Sequence, residues 1–495
     1  MEAYQETHLL KSPAWRQLVG YLQQHRQHWI KALPDLEQFE RELHGHLLTI
    51  ERDLVAEELA QYDVVVEQIT VNGTVCPLAG TASETYLTAA GPVTVERHLY
   101  RPRNHQARHV CPLEMRAGIV EGYFTPSAAR QAAYVTAHLP PTQSAALLGE
   151  VGNMQPSPST LERLPKGLSE RWEAHRQAWE TQLRSRESVP ARAVTLAVSL
   201  DGVTPHLAVG AGVAPMRQAP GAARPEKSPE PALAKQPKGP KGYQEVGCGT
   251  VTRSVYDAEG ERLQTVRYGR MPESKKATLC QQLQAECQAI LAVRPQLKLV
   301  RLADGAKENW RFLETLAVGA PAGQIETWNI VDFYHACDHL KHALDLIWGE
   351  FAPKGKAEFA RLKTVLKEME GGVETVIETL RYRVRRARGA KRQNLRKALT
   401  YFRNQRHRMA YATYLREHLP IASGVVEAAC KTLVTQRLKQ SGMRWSASGG
   451  QAILTLRSLI QSGRWREGWA LLRASYQPPV LIGSESAYFA LPLAA

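Results

Sequence analysis

No two of the seven cysteines form a C-x-x-C pair; Cys76, Cys111, Cys248, Cys280, Cys287, Cys337 and Cys430 lie scattered along 495 residues. That spacing argues against a zinc ribbon or a disulfide framework and predicts a chain kept in a reducing cytoplasm. Long apolar runs are missing as well, so no segment is predicted to span a bilayer. The polar opening MEAYQETHLLKSPAW has no signal-peptide pattern. Acids are in short supply: 48 Asp and Glu stand against 63 Lys and Arg, a formal charge of +15. Such an excess favours a polyanionic partner, and without a membrane anchor nucleic acid is the leading candidate. The remaining composition, 43% hydrophobic and 22% charged, is that of a globular protein. The length suits roughly two to four domains.

The front half alternates between helical and strand patterns. Residues 1–62 are predicted helical, with Trp15, Leu18, Leu22, Trp29, Leu33, Leu36 and Phe39 at near-helical spacing on a core or dimer face. Residues 63–112 form a small β-rich module, in which VVVEQITV meets the turn pair Asn72-Gly73 and GPVTVERHLY follows as a second strand. His98, His105, His109 and Cys111 match no metal-ligand spacing there, and the histidines are expected at the surface. Residues 113–190 are helical again. TPSAARQAAYVTAHL starts behind Thr125-Pro126, a cap and first helical position. A short helix after Pro140-Pro141, a Gly152-Asn153 turn and the helix SPSTLERLPKGL have the outline of a helix-turn-helix, with Arg163 and Lys166 facing DNA. ERWEAHRQAWETQLRSR is expected as a separate connecting helix ending before Pro190.

From Ala193 the order becomes β-β-β-α-β-α-β-α, which predicts a ribonuclease-H-like α/β core over 191–349 and 420–474. Two of its buried strands end in the same signature, SLDG at Asp201 and RLADG at Asp304. In that fold the first and fourth strands are neighbours, so the two aspartates are expected side by side. Residues 218–241, rich in Pro, Ala and Lys, are predicted to be a flexible loop. Residues 350–419 are a basic helical insertion. Between Arg381 and Arg408 there is no acid, and Arg381, Arg383, Arg385, Arg386, Arg388, Lys391 and Arg392 are too dense to pair with acids nearby, so they are expected on phosphates.

Beyond the insertion, PIASGVVEAACKTLVTQRLKQSGMRW reads as a helix that Ser423 can cap, with Glu427 in its first turns and a buried stripe at Val425, Cys430, Leu433 and Val434. Three carboxylates that converge, Asp201, Asp304 and Glu427, can hold two divalent cations roughly 4 Å apart. Their oxygen donors select Mg²⁺ or Mn²⁺. His335, His339 and His342 share a helical face, which makes zinc conceivable, but the fourth ligand is missing. Trp445 has two readings, stacking on an unpaired base or packing against the catalytic helix.

The motifs SLDGV, RLADGA, IVDFYHACDHL, YFRNQRHRMAY, LPIASGVVEAACKTLVTQRLKQSGMRWS and GGQAILTLRSLIQSGRW resemble those of bacterial DDE insertion-sequence transposases of the ISKra group, relatives of the Mutator-like transposases. The likeness is strongest from Thr195 to Trp469. It implies that Asp201, Asp304 and Glu427 are the catalytic and metal-binding triad. It also implies that Asp332 and His335 support the active site, and that the helical stretch separating the second Asp from the Glu is the family's insertion domain. Many transposases carry Lys or Arg seven residues after the Glu, where this chain has Val434; Lys431 is the substitute expected, with Arg437, Lys439, Arg444 and Trp445 as further DNA contacts. The function so implied is binding of the element's ends, hydrolysis of a phosphodiester and joining of the 3′-OH to target DNA, by a homodimer or larger homo-oligomer in a bacterial, nucleoid-associated setting. A nuclease without strand transfer and a catalytically silent DNA-binding descendant are the alternatives. The last residues, 475–495, are expected to be a tail.

Overall fold

The computed structural model describes residues 12–28, 35–102, 109–203, 206–208, 243–245, 248–273, 276–314, 316, 325–422 and 424–482. The expected cap Ser423, the 218–241 loop, Trp29, Leu33, His105 and residues 483–495 lie outside them. Among the described residues the chain divides into two compact units, Met1–Ala174 with Arg466–Ala495, and His175–Trp465.

The first unit holds α1 (Pro13–His28), α2 (Leu36–Gln61), β1 (Gln68–Val71), β2 (Thr74–Thr88) and β3 (Gly91–Tyr100). It continues through α3 (Pro112–Ala117), α4 (Pro126–His138), α5 (Pro141–Val151) and most of α6 (Pro158–Arg186). Asn72 and Gly73 take φ of 49° and 76°, the pair of positive angles a two-residue type I′ hairpin turn requires, so the Asn-Gly signal fixes the β1–β2 register. β3 alternates in burial along Gly91–Val95, as a half-covered antiparallel strand should. A fourth strand comes from far along the chain. Val480–Ile482 pairs antiparallel with β1, so residues expected as a tail complete this sheet. Pro165 does not end α6, which runs unbroken through the two helices expected separately. Proline in a helix forfeits one hydrogen bond, and here Leu161, Leu164 and Leu168 are each at most 1% exposed, burial that favours keeping the turn around it.

The second unit is built on a five-stranded sheet of order β10-β9-β4-β7-β8. Its strands are β4 (Thr195–Val203), β7 (Cys248–Tyr256), β8 (Arg262–Arg270), β9 (Lys298–Ala303) and β10 (Thr327–Val331). The backbones of β5 (His206–Ala208) and β6 (Tyr243–Glu245) form a separate two-stranded ladder. β4, β7 and β8 are antiparallel, whereas β9 and β10 run parallel to β4. β4 is buried without alternation over Thr195–Leu200, the mark of a strand covered on both faces. Leu196, Val198, Val251, Val266, Leu299 and Ile330 are fully enclosed, and each such side chain contributes roughly 1.5–3 kcal/mol by leaving water.

Between and after the strands come α7 (Ala277–Val293), α8 (Lys307–Glu314) and α9 (Phe333–Trp348). The insertion is α10 (Pro353–Glu368), α11 (Gly372–Arg386), α12 (Gly389–Gln405) and α13 (Tyr411–Arg416). It is not a free-standing module. Leu362, Leu366, Val376, Leu380, Leu399 and Phe402 belong to the same apolar core as the sheet.

The Glu427 helix departs from a regular α-helix. α14 (Gly424–Ala429) enters a π-helical segment, Cys430–Thr435, before α15 (Gln436–Leu438). Arg457 and Gln461 of α16 (Ala447–Gln461) stabilise it from outside: Arg457 Nε donates to the Leu433 carbonyl at 3.0 Å and Gln461 Nε2 to that of Thr432 at 3.1 Å. The chain then enters α17 (Trp465–Ala474). No helix among the described residues is long and apolar enough to cross a membrane.

Candidate active site

The parallel register of β4 and β9 places Ser199 opposite Leu302. Two residues beyond that pair come Asp201, still within β4 and paired with Thr250 of β7, and Asp304, the residue after β9. Both therefore lie at the same end of the sheet, where ligand sites of open sheets occur. Both are half-exposed, and among the described residues neither is in an ion pair.

Each is oriented by its own partners. Asp201 Oδ1 accepts the backbone N–H of Gly202 at 2.7 Å, and Cys430 Sγ donates to Oδ2 at 3.5 Å. Cys430 also meets Thr250 Oγ1 at 2.8 Å, and Thr250 is the β7 residue across the ladder from Asp201. Burial, then the neighbouring Asp201 charge, pushes the Cys430 thiol up to about 12, so it remains a protonated donor. Asp304 Oδ1 accepts from Ala306 N and from Asn309 Nδ2, each at 3.0 Å. Asn309 is in turn held through its Oδ1 by Lys276 Nζ at 3.1 Å.

Glu427 is exposed in the first turn of α14, one turn before Cys430. Its charge adds to that of Asp201 in raising the Cys430 pKa. Among the described residues no three of His, Cys, Asp and Glu are grouped so as to hold a single metal ion. The donors nevertheless suit a hard cation in pairs, because Mg²⁺ is held by one or two carboxylates and completes its shell with water and substrate phosphate. Asp201 has Asp304 beside it on the sheet and the Glu427 helix on its other side. Two adjacent carboxylates without a cationic partner also give a physical reason for cation binding, since like charges abreast repel.

Val434 is fully buried, as its place in the expected apolar stripe predicts, while Lys431 remains exposed one turn from Glu427. Arg437 is the main correction. Expected on DNA, it is 2% exposed, with its guanidinium 5.0 Å from the Trp445 ring and Nη1 3.8 Å from Met443 Sδ. Burial, then the nearby Arg457 charge, lowers it to about 10. Trp445 follows the packing alternative: its Nε1 donates to the Leu438 carbonyl at 2.9 Å, and its ring lies on the Ala429, Leu433 and Val434 cluster. Lys439 and Arg444 are exposed.

Asp332 is 1% exposed and caps α9, accepting the His335 N–H at 2.6 Å, so it builds the helix start rather than facing solvent. His335 is exposed. His339 stacks on Tyr401, ring centroids 3.8 Å apart, with the edge of His335 at 5.9 Å; burial, then His335, lowers its pKa. Neither Tyr401 nor Asn309 nor Cys430 was signalled as a site residue by the sequence, and only the YFRNQRHRMAY motif hinted at the first.

Of the basic run, Arg385, Arg386, Arg388 and Arg392 are exposed and make no ion pair among the described residues. Others have partners that the local composition did not suggest. Arg381 pairs with Glu378 one turn upstream, Arg383 lies 4.8 Å from the Trp348 ring, and Lys391 Nζ donates to the Ile347 carbonyl at 3.1 Å. In the first unit Arg163 is exposed on α6, and Lys166 pairs with Glu162 at 2.8 Å.

Neither a family model nor a curated protein matches this chain. Among solved structures, the strand transfer complex of the Drosophila P element transposase aligns with 71% of this chain and 81% of its own, at 12% identity and a TM-score of 0.24. A likeness that low carries no argument, and the site must be judged on its own residues.

Proposed function

We propose that this protein is a metal-dependent DNA transposase with a ribonuclease-H-like core. It binds the ends of its own insertion sequence, hydrolyses a phosphodiester there and joins the freed 3′-OH to target DNA. The observation that carries this reading is that Asp201 and Asp304 lie at the same end of the neighbouring parallel strands β4 and β9, with the Glu427 helix linked to Asp201 through Cys430. The sheet order, three antiparallel strands followed by two parallel ones beside the first, supports the fold assignment.

Asp201 and Asp304 would hold one Mg²⁺ or Mn²⁺, and Asp201 and Glu427 a second. Such ions, when bound, acidify an attacking water or 3′-OH and neutralise the leaving oxygen. Cys430 holds Asp201 through Oδ2 and Asn309 holds Asp304 through Oδ1, while both aspartates remain half-exposed. Lys431, exposed one turn from Glu427, is positioned to meet a phosphate. The exposed arginines of α11 and α12 neutralise backbone phosphates, and α5 with the start of α6 reads the element's ends.

The test is the purified chain with Mg²⁺ and end DNA of its own element. Nicks at the ends and joined products are expected. Nicks without joining would make it a nuclease; end-specific binding without either product in Mg²⁺ or Mn²⁺ would make it a silent binder.

A further inference from the structure

We infer that the helical insertion is also a positioning element for Asp304, acting through Tyr401 and Gln405 of α12 on the loop that follows β9. This rests on the metal-binding role proposed for Asp304. The loop from Asp304 to Ala306 has its main chain held at successive residues. Trp310 Nε1 donates to the Asp304 carbonyl at 2.6 Å, and Gln405 Nε2, from the insertion, donates to the Gly305 carbonyl at 3.3 Å. Arg408 closes the circle: its Nη1 donates to Gln405 Oε1 at 2.5 Å, and its guanidinium covers the Trp310 ring at 4.1 Å.

The ring of Tyr401 lies flush on Gly305. A Cβ at that glycine would overlap Tyr401 Cε2 outright and crowd Cδ2 and Cζ at 3.2 Å. Gly305 does not adopt a positive φ, so it is space, not backbone freedom, that demands glycine. The second Asp-Gly signature thus records the approach of an aromatic ring from about 100 residues downstream. The ring has no latitude to retreat, since it is stacked on His339 at 3.8 Å and set edge-on to Phe402 at 5.4 Å. Phe402 is fully enclosed in the core. Asp304 itself is held by Ala306 and by Asn309 and Trp310 of α8, but the next peptide, at Gly305, is held by α12.

Full-length Gly305→Ala, Tyr401→Ala, the double variant and Asp304→Asn are compared by calorimetric titration with Mn²⁺, by thermal melting and by affinity for end DNA. Asp304→Asn should abolish the heat of the Asp304 site. Gly305→Ala should raise half-saturating Mn²⁺ by about tenfold or more, because a displacement near 1 Å spoils a preorganised site. Tyr401→Ala should raise it by about threefold, and the double variant should match Tyr401→Ala rather than the product of the two, the mark of direct coupling. End-DNA affinity should stay unchanged in Gly305→Ala, Tyr401→Ala and the double variant. Melting losses without any change in half-saturating Mn²⁺, or simple multiplication of the two effects, would overturn the inference while leaving the metal site intact. If Asp304→Asn itself leaves Mn²⁺ binding unchanged, the metal-site reading fails and the inference falls with it.

Discussion

Two groups of charged side chains in the same unit have opposite designs. One is compensated and buried. Glu286 is 1% exposed and receives Arg464 Nη1 at 2.8 Å, Arg253 Nε at 3.0 Å and the Tyr268 hydroxyl at 2.6 Å; Glu187 receives both arginines as well. Burial alone would raise the Glu286 pKa, but the charge and hydrogen bonds of Arg464, then Arg253, bring it from 4.5 down to about 2. The other group, Asp201, Asp304 and Glu427, is open to solvent, and its two aspartates have no cationic partner among the described residues. The first ties β7, β8, α7 and the residues around Glu187 and Arg464 into one body. In the second, Asp201 and Asp304 make no ion pair among the described residues and stay open to something that arrives from outside. Charge already satisfied within the protein is architecture, and charge left unsatisfied where it can be reached marks the candidate site.

Substitution in the open group gives the largest expected effect. Asp201→Asn or Glu427→Ala should lower end cleavage by roughly a thousandfold or more, since each removes a ligand to the proposed ions. Melting temperature should hold or rise, because a repulsive charge is gone. A Glu427→Ala protein that nicks at the wild-type rate would erase the functional side of the contrast.

Substitution in the closed group should reverse the pattern. Glu286→Ala leaves two buried guanidinium groups short of a partner and should destabilise the fold by roughly 3–5 kcal/mol, measured by denaturant unfolding. The pH dependence has a definite sign. A carboxylate whose folded pKa is depressed stabilises the protein above its ordinary pKa and loses that contribution as pH falls through the folded value. Wild-type stability should therefore decline between pH 4.5 and about 2, and Glu286→Gln should flatten that decline. An unchanged acid limb would mean that other carboxylates govern it.

The exposed arginines extend the comparison to charge met by phosphate. Replacing Arg385, Arg386 and Arg388 with Gln should flatten the slope of log affinity against log salt by roughly two to three units. Discrimination between end and random DNA should be preserved, because phosphates carry no sequence information directly. An unaltered slope would return these residues to a solvated helix face.

The smallest effect separates two neighbours. Lys439→Gln should reduce the salt slope by about 0.9, whereas Arg437→Met, a change inside the protein, should leave the slope alone and alter only the melting temperature. Equal slopes in both variants would remove Lys439 from the DNA surface.

The sequence by itself determined what depends on neighbours along the chain. Asn72-Gly73 dictates its turn through backbone angles, the largely apolar runs before Asp201 and Asp304 dictate buried strands, and the order of strands and helices limits which strands lie side by side. The tertiary structure decided what depends on direction around a helix and on residues far apart. Val434 is buried as its apolar stripe predicted, but Arg437 is enclosed after a π-helical segment that no local pattern foretells, because Arg457 and Gln461 of a later helix help to stabilise it. The pairing of Val480–Ile482 with β1 joins opposite ends of the chain. The contact of Tyr401 with Gly305 links elements about 100 residues apart. A residue's chemistry is written in its type, but whether that chemistry faces solvent, a partner or the core is set by packing, and packing is a property of the whole fold.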